Sequence, residues 1–543
     1  MSAVPHESQV GLMKNEDTSD PTPKIALVEE AERPLTRRQL VTVSVLCFVN
    51  LINYMDRFTL AGILTDLQCY FSIGNDEGGL LQTVFILSYM IFAPLFGYLG
   101  DRHSRKIIMS LGVFLWSLTT LIGSFMTGFG WFIFFRAMVG IGEASYSTIA
   151  PTIISDMFVK DMRSRMLALF YFAIPVGSGL GYITGSKMRE MFGAWQWSLR
   201  VTPAMGMLAI IFIIFFMDDP PRGESEGAHL QTTSWGQDIK ALCKNASFML
   251  STVGFTCVAF VAGALAWWGP KFVALGMAAQ GNTDVSREND VAFKFGLITM
   301  ISGILGVPLG AFIAQKLRPK WDKTDPMVCA IGLLLSAPFL FFASICAEYN
   351  TPGTFALIFF GELFLNLNWS VVADILLYVV IPTRRSTAEA FQILISHAFG
   401  DAGSPYLIGQ VSEIVKESYG SVASKRVESA TNATSCGGFP SVSSTNPVVD
   451  FRSLQYALFI CVFVEVLGGL FFVMNGWFIK NDRDQVQRVI AAGTETSSSG
   501  SSNDVEAERG RHSSGSRMPP NFGAHDESED SLITTTGRRD DNT

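Results

Sequence analysis

The chain of 543 residues is 49% apolar and only 16% charged, and 43 of its residues are Phe. Its mean hydropathy of +0.32 exceeds that of most soluble proteins and indicates a membrane protein. The net charge of −8 lies almost entirely in the first 38 and last 63 residues, so the near-neutral remainder offers no basic face for nucleic acid.

Stretches of about 20 apolar residues, the length that crosses a bilayer, recur along the chain and predict twelve transmembrane helices. The predicted fold class is therefore an all-α membrane protein. The twelve spans are 40–64, 79–99, 107–127, 131–154, 168–186, 199–217, 248–273, 295–314, 327–347, 355–381, 389–411 and 456–479.

A polar stretch divides these spans six and six. The predicted N-terminal half covers 39–217, a central cytosolic loop covers 218–247, and the C-terminal half covers 248–480. The segment 1–38 is polar and rich in Glu and Pro, and 481–543 is acidic and rich in Ser. Both are therefore predicted to be disordered cytosolic tails.

The short loops predict how the chain is oriented, because Lys and Arg favour the cytosolic side. The basic residues on one side are Arg102, Arg105, Lys106, Lys160, Arg163, Arg165, Lys316, Arg318, Lys320, Lys323, Arg384 and Arg385. That side, called the basic face below, is predicted to be cytosolic, with both termini on it. Asn432, in the sequon Asn432-Ala433-Thr434, then falls in a non-cytosolic loop where it could be glycosylated, although short sequons also arise by chance.

The two halves resemble each other in sequence. Glu143 precedes Asp156 by thirteen residues in the fourth span, and Glu362 precedes Asp374 by twelve in the tenth. Basic residues follow both pairs. An offset of about 220 residues relates the two sites, as two duplicated, pseudo-symmetric six-helix halves would give.

Ionisable side chains inside the spans are few and concentrated, and such residues are functional candidates. The first span holds Asp56 and Arg57. The fourth holds Arg136 and Glu143, two turns apart on one stripe, and the tenth holds Glu362. A carboxylate kept from water takes up a proton more readily and a nearby Arg opposes this, so the cluster predicts a proton site. A static ion pair that fixes helix packing is the alternative.

Glycines are concentrated in the fifth span, where Gly177, Gly181 and Gly185 form a ladder at four-residue spacing. This spacing permits close approach of another helix. Gly403 lies in a similar glycine-rich stretch of the eleventh span. Helix packing explains these glycines, and a hinge role is the alternative.

Enzymatic chemistry is not indicated. His397 is the one histidine inside a predicted span, which argues against a His-rich metal site. The stretch 181–187 fails the phosphate-loop pattern, because Ser186 stands where that pattern has Lys. No metal, cofactor or ATP hydrolysis is therefore predicted, and an ion gradient or the substrate's own gradient would drive transport. Eight Cys are too few for a disulfide scaffold, and pairing among Cys69, Cys346 and Cys436 is left open.

The loop 97–106 and the motif from Arg136 to Glu143 resemble the major facilitator superfamily, with Ser104 where that family usually has Gly. Longer strings resemble the spinster family more narrowly. They are Asn53-Tyr-Met-Asp-Arg57, Gly142-Glu-Ala-Ser-Tyr-Ser-Thr-Ile-Ala-Pro151, and the stretches 171–182, 373–385 and 400–409. The likeness covers nearly everything from about 40 to 480 and includes neither tail.

That resemblance implies the major facilitator fold and an alternating-access lipid transporter, with spans one, four, seven and ten around a central cavity. By position, Asp56 and Glu143 would be the proton-coupling carboxylates. Arg57 and Arg136, together with Glu362, would be charge partners or anchors for the lipid headgroup. The implied cytosolic gate consists of Asp101, Arg102, Arg105, Asp156, Asp374 and Arg384.

Members of the spinster family export lysophospholipids from lysosomes with proton coupling, or export sphingosine 1-phosphate across the plasma membrane. The segment 383–392, which includes Glu389, looks closer to the lysosomal branch. We therefore expect a monomeric, proton-coupled exporter of lysophospholipid or sphingolipid in the lysosomal or late endosomal membrane. A sphingosine 1-phosphate exporter at the plasma membrane and a carrier of a small soluble solute are the alternatives.

Overall fold

A computed structural model describes the protein over residues 36–158, 160–220, 235–281, 285–381, 384–423 and 447–512. Every regular element in these ranges is helical, which confirms the predicted all-α class. Asn432, residues 1–35 of the predicted N-terminal tail and the end of the C-terminal tail from 513 onwards lie outside the described residues.

The described ranges contain sixteen α-helices and one π-helical turn, His397–Asp401. The helices are α1 Arg37–Gly62, α2 Leu64–Phe71, α3 Asn75–Arg102, α4 Arg105–Gly123, α5 Phe129–Met157, α6 Lys160–Phe192, α7 Gln196–Phe216, α8 Trp235–Lys244, α9 Ala246–Ala279, α10 Val285–Leu317, α11 Thr324–Cys346, α12 Thr351–Asn366, α13 Asn368–Val379, α14 Arg385–Ser396, α15 Gly403–Ala423 and α16 Pro447–His512.

Ten of the twelve predicted spans coincide with helical segments that are long and apolar enough to cross a membrane, judged over the described residues. The fourth predicted span is α5, where Arg136 and Glu143 lower the mean hydropathy. The eleventh runs through α14, the π-helical turn and α15, because the backbone leaves helical geometry at Gly400 (φ −94°, ψ −105°). The tenth comprises α12 and α13, which meet at Leu367.

Two predicted boundaries differ from the structure. The predicted central loop contains α8, and α16 continues to His512, past the predicted start of the tail at 481. The extension of α16 is held where it leaves the apolar stretch, since Lys480 and Arg483 bind Asp322 at 2.9 and 2.7 Å. Hydrogen bonds from Arg483 and Lys480 keep the pKa of the Asp322 carboxyl below its usual range.

The helices form two bundles that correspond to the predicted halves. In the first, α1 packs on α6, and α5 packs on α3 and α4. In the second, α16 packs on α9 and α11, and α12 packs on α10 and α11. The bundles meet along two main seams, α6 against α10 and α3 against α15. Gly179 on α6 faces the backbone of Gly296 on α10, and Gly303 faces Pro175.

The seam between α3 and α15 is closed at the membrane face opposite the basic face. The backbone N–H of Asn75 donates to Glu413 at 2.8 Å, and Lys271 donates to Asn75 Oδ1 at 2.6 Å. The Asn75 side chain also donates from Nδ2 to the Ser412 hydroxyl of α15 at 3.0 Å. Among the described residues, the two halves therefore make these close contacts at a distance from the basic face.

The predicted glycine ladder lies against α1. A Cβ atom at Gly177, Gly181 or Gly185 would lie 2.6, 2.6 and 2.8 Å from carbonyl oxygens of α1, at Leu51, Met55 and Thr59. Real Cβ atoms do not approach this closely, so these positions allow the helix contact that the sequence predicted. Gly403 is different, because its nearest neighbour would be 3.5 Å away.

We expect Gly181→Ala to lower the free energy of unfolding by about 1–3 kcal/mol, because overpacking pushes α1 away from α6. The measurement is the apparent unfolding temperature of the purified protein in detergent. Gly97→Ala is the matched control, since a Cβ there meets nothing within 4 Å. Equal unfolding temperatures for the two variants would show that the ladder does not set the α1–α6 distance.

Candidate functional site

Four charged side chains meet between α1 and α5, inside the N-terminal half. Asp56 and Arg57 lie on α1, and Arg136 and Glu143 lie on α5. Their exposed fractions are 0%, 8%, 3% and 0% respectively. Glu143 follows Arg136 by seven positions, or about two turns, which puts both on one stripe of α5 at levels about 10 Å apart. The structure therefore brings together all four residues that the sequence singled out.

Each charge on α1 faces an opposite charge on α5. Arg57 Nη2 donates to Glu143 Oε2 at 3.0 Å, which is a charge-assisted hydrogen bond. Arg136 Nη1 lies 3.7 Å from Asp56 Oδ2, an electrostatic contact too long for a hydrogen bond. Each pair joins one positive and one negative group. The cluster therefore has no net charge when all four groups are ionised.

Hydroxyl groups from two further helices hold Asp56. Thr202 on α7 donates to Asp56 Oδ1, and Thr120 on α4 donates to Oδ2 at 3.4 Å. Sequence analysis did not single out these threonines, and their occurrence as polar residues within apolar spans was the available signal. Thr202 holds the oxygen that does not face Arg136, and Thr120 shares Oδ2 with Arg136.

The ring of Phe85, on α3, contacts both guanidinium groups. The Cζ atoms of Arg57 and Arg136 lie 4.9 and 4.2 Å from its centroid, and Arg57 also lies 4.9 Å from the ring of Tyr54. Gly140 packs directly on the carbonyl of Phe85, which explains the Gly that follows Arg136 by one turn. Cation–π contacts of this kind stabilise a desolvated cation by about 2 kcal/mol or more.

Several polar atoms of the cluster have no hydrogen-bond partner among the described residues. They are the three guanidinium nitrogens of Arg136, Nε of Arg57, Oε1 of Glu143 and Nδ2 of Asn53. Buried polar atoms are nearly always hydrogen-bonded, and an exception calls for an explanation. The site therefore retains unused donors next to an acceptor, which is what a site that binds an anion and a proton requires.

Glu362 is not part of this cluster. It lies on α12 in the other half, where its Oε2 is 2.9 Å from the Ser302 hydroxyl and its Oε1 is 3.2 Å from the Thr299 hydroxyl. No Lys, Arg or His in the described ranges lies within ion-pair distance of it. The structure thus does not pair it with Arg57 or Arg136.

The predicted gate residues of the first half lie at the basic face. Arg105 Nη1 and Asp156 Oδ2 are 2.6 Å apart and join α4 to α5. Arg102 is exposed, with Cζ 4.5 Å from the ring centroid of Tyr98. The side chain of Asp101 lies outside the described part of the chain.

The second half has corresponding ion pairs at the same face. Arg318, at the end of α10, binds Asp325 of α11 at 3.0 Å and Asp374 of α13 at 2.9 Å. Arg384 binds Asp238 of α8 at 2.7 Å. Like Arg105 with Asp156, these pairs do not connect the two bundles.

The π-helical turn brings His397 and Asp401 together, with Nδ1 and Oδ1 2.7 Å apart. The ring of Tyr89, on α3 of the other half, lies 5.9 Å from the imidazole in an edge-on arrangement. Sequence analysis gave neither residue a role. Their four-residue spacing can be read from the sequence, but the π-helical turn that places them beside α3 cannot.

We expect Glu143→Gln to lower the free energy of unfolding by about 3–5 kcal/mol, because Arg57 becomes a buried charge without a partner. The double variant Arg57→Gln/Glu143→Gln should recover much of this loss. Thermal unfolding of the purified variants measures both. Lys187→Gln is the control, since Lys187 and Glu190 form a largely exposed pair worth about 0–1 kcal/mol. A double variant no more stable than the single one would contradict the pairing.

Comparison with known proteins identifies the family. The Major Facilitator Superfamily profile matches residues 46–401. Protein spinster of Drosophila melanogaster is 59% identical over 491 residues, covering 86% of this chain and 81% of that protein. Protein spinster homolog 1 of Homo sapiens is 50% identical over 461 residues, covering 83% of each.

Solved structures agree on the fold. A bacterial homologue of the human lysosomal transporter Spinster, in an inward-facing and unoccupied conformation, superimposes with a TM-score of 0.70 at 20% identity, covering 82% of this chain and 98% of that one. A D-xylose-proton symporter superimposes with a TM-score of 0.61 at 14% identity, covering 80% and 97%. The predicted major facilitator fold and the prediction of a transporter rather than an enzyme are confirmed. The chain belongs to the spinster family of membrane transporters within the Major Facilitator Superfamily.

Proposed function

We propose that the chain is a proton-coupled transporter that moves lysophospholipid from the lysosome to the cytosol by alternating access. The observation that carries the proposal is the buried cluster of Asp56, Arg57, Arg136 and Glu143, with its unpartnered polar atoms. An element that served only packing would satisfy those atoms, because each one left unsatisfied costs about 1–3 kcal/mol. The cluster is therefore suited to exchange partners during a transport cycle.

Glu143 is the group best placed to couple proton binding to movement. Its ionised carboxylate holds Arg57 through the 3.0 Å hydrogen bond. Protonation removes the negative charge that holds Arg57 and frees the guanidinium to bind an anion. Asp56 has the same relation to Arg136 across 3.7 Å. One proton taken up at either carboxylate would thus release one arginine.

A lipid with a phosphate headgroup fits the groups that protonation would release. Guanidinium N–H groups bind phosphate oxygens through paired, charge-assisted hydrogen bonds. The rings of Tyr54 and Phe85 beside the arginines supply the apolar surface that an acyl chain needs. The description of the solved bacterial relative as a homologue of a lysosomal transporter supports the lysosomal location.

The ion pairs at the basic face are the proposed cytosolic gate. Arg105 with Asp156 fixes the ends of α4 and α5, and Arg318 with Asp374 fixes the ends of α10 and α13. Both pairs lie within one half in the described conformation. Closure at this face would bring these charged helix ends together, and exchange of partners between halves would latch them.

Two observations support a cytosolic orientation for the basic face. The first is the concentration of Lys and Arg in its short loops. The second is Cys69, in α2 beyond the opposite end of α1, which is disulfide-bonded. The other cysteines of the described ranges are free thiols. Disulfides persist in oxidising compartments, so a disulfide fits a non-cytosolic position for that face.

We expect liposomes that contain the purified protein to take up labelled lysophosphatidylcholine, and to do so faster under an imposed proton gradient. Labelled sphingosine 1-phosphate and a panel of soluble sugars and organic acids are assayed in parallel, with protein-free liposomes as the control. Uptake of sphingosine 1-phosphate alone would favour the plasma-membrane exporter. Uptake of a soluble solute alone would overturn the lipid assignment.

We expect Glu143→Gln and Asp56→Asn to abolish the pH dependence of lipid flux, because neither amide can take up the coupling proton. Flux is measured across a pH series with variants that elute as folded protein. Glu348→Gln is the matched control, because Glu348 pairs with Arg452 at 2.6 Å, outside the cluster. A wild-type pH profile in both variants would remove the two carboxylates from the coupling site.

A further inference from the structure

The C-terminal half contains two buried carboxyl groups that have no cationic partner. Glu362 on α12 is 7% exposed, and Glu465 on α16 is 0% exposed. No nitrogen of Lys, Arg or His within the described ranges lies within 4.0 Å of either carboxyl group. An ionised carboxylate buried without a counter-charge is very costly, and protonation is the usual way in which such a group avoids that cost.

The contacts of Ser336 fit a proton on Glu465, which its burial without a counter-charge favours. Its Oγ lies 2.9 Å from the carbonyl oxygen of Gly361 and 2.7 Å from Oε1 of Glu465. A carbonyl oxygen can only accept, and a serine hydroxyl has one hydrogen. If that hydrogen goes to Gly361, the contact with Glu465 is a hydrogen bond only when the carboxyl group donates. Glu465 is then a neutral acid that donates from Oε1, and its Oε2 is without a partner.

The hydroxyl hydrogens around Glu362 can be counted against their acceptors in the same way. The Oγ of Ser302 lies 3.1 Å from the carbonyl of Thr299 and 2.9 Å from Glu362 Oε2. The hydroxyl of Thr299 lies 3.2 Å from Oε1 and can donate to it. With the Ser302 hydrogen directed to the carbonyl, Oε2 must carry a proton to complete the network. Ser336 binds the carbonyl of Gly361, the residue before Glu362, and so links the two acids.

The surroundings of the two acids contain few other titratable groups. Tyr182, on α6 of the other half, faces Glu362, and Cys461 lies one turn before Glu465 on α16. A small cavity bordered by both Glu362 and Cys461 is otherwise mainly apolar, with Leu265 and Phe272 in its wall. The site is therefore separate from the charge cluster in the N-terminal half.

Glu362 also lies next to a seam between the halves. Its partners Thr299 and Ser302 are on α10, between Gly296, which faces Gly179, and Gly303, which faces Pro175. Loss of a proton from Glu362 would create a charge against this part of α10. The helix would then have to move or admit water, and the α6–α10 seam would loosen.

We propose that Glu465 and Glu362 form a second proton-binding site, occupied in the described conformation, whose deprotonation loosens the seam between α6 and α10. Each carboxylate takes up one proton, and no other bond changes. The proposal concerns the C-terminal half alone and does not depend on the identity of the transported substrate or on Glu143.

Infrared spectroscopy of the full chain in lipid nanodiscs tests the proton site. At neutral pH an exposed Glu is ionised, so a C=O stretching band of a protonated carboxylic acid reports buried neutral acids. We expect that band in the wild type, a reduction of about half in Glu465→Gln, and its loss in the double variant with Glu362→Gln. An unchanged band in the double variant, or no band in the wild type, would overturn the proposal.

Three further variants keep the outcome interpretable. Ser336→Ala retains both acids and should shift the band without removing it, so it tests the site even if Glu465→Gln does not fold. Glu190→Gln removes an exposed, paired carboxylate and should leave the band unchanged. Glu143→Gln should abolish the pH dependence of lipid flux and leave the C-terminal band in place, so failure of the transport proposal and failure of this one are distinguishable.

Hydrogen–deuterium exchange tests the link to the seam. After correction for intrinsic pH dependence, we expect exchange in residues 175–182 to rise at alkaline pH in the wild type. Glu362→Gln cannot ionise and should abolish that rise, while Glu348→Gln should retain it. A rise of equal size in Glu362→Gln would show that the acid does not act on the α6–α10 seam.

Discussion

The contact between α1 and α5 depends on keeping four charges away from both lipid and water. Arg57 with Glu143, and Arg136 with Asp56, neutralise one another within the helix pair. Removing one charge leaves its partner buried and alone, at a cost of several kcal/mol. Glycines support this arrangement on two sides, since those of α6 let α1 pack on α6 and Gly140 of α5 lets the Phe85 backbone of α3 approach.

The two halves share an architecture but differ in electrostatics. The internal repeat relates Glu143 to Glu362, and both lie buried on equivalent helices. Glu143 faces an arginine, whereas the polar partners of Glu362 among the described residues are hydroxyl groups. A buried carboxylate opposite a cation can remain ionised, whereas burial without a counter-charge favours the neutral acid. The N-terminal half thus suits exchange of charged partners, and the C-terminal half suits storage of protons beside a seam.

Prediction from sequence worked best for long apolar runs and for the rare charged residues within them. Long apolar runs identified the helices, and Asp56, Arg57, Arg136 and Glu143 stood out because charges are rare in such runs. It was less successful where one residue alters the backbone. The interruption at Gly400 and the meeting of α12 with α13 at Leu367 have no periodic signal. The extension of α16 depends on ion pairs with Asp322, which is distant in sequence.

The sequence by itself determined the membrane class, the helical fold, the family and the candidate charges, because burial in lipid allows few solutions for the backbone and few polar residues. Only the tertiary structure decided the partners. It assigned Arg57 to Glu143, Thr202 to Asp56 and Ser336 to Glu465, because each pair joins different helices whose rotation and depth follow from packing. These contacts span 86 to 146 residues and leave no local pattern from which the pairs could be read.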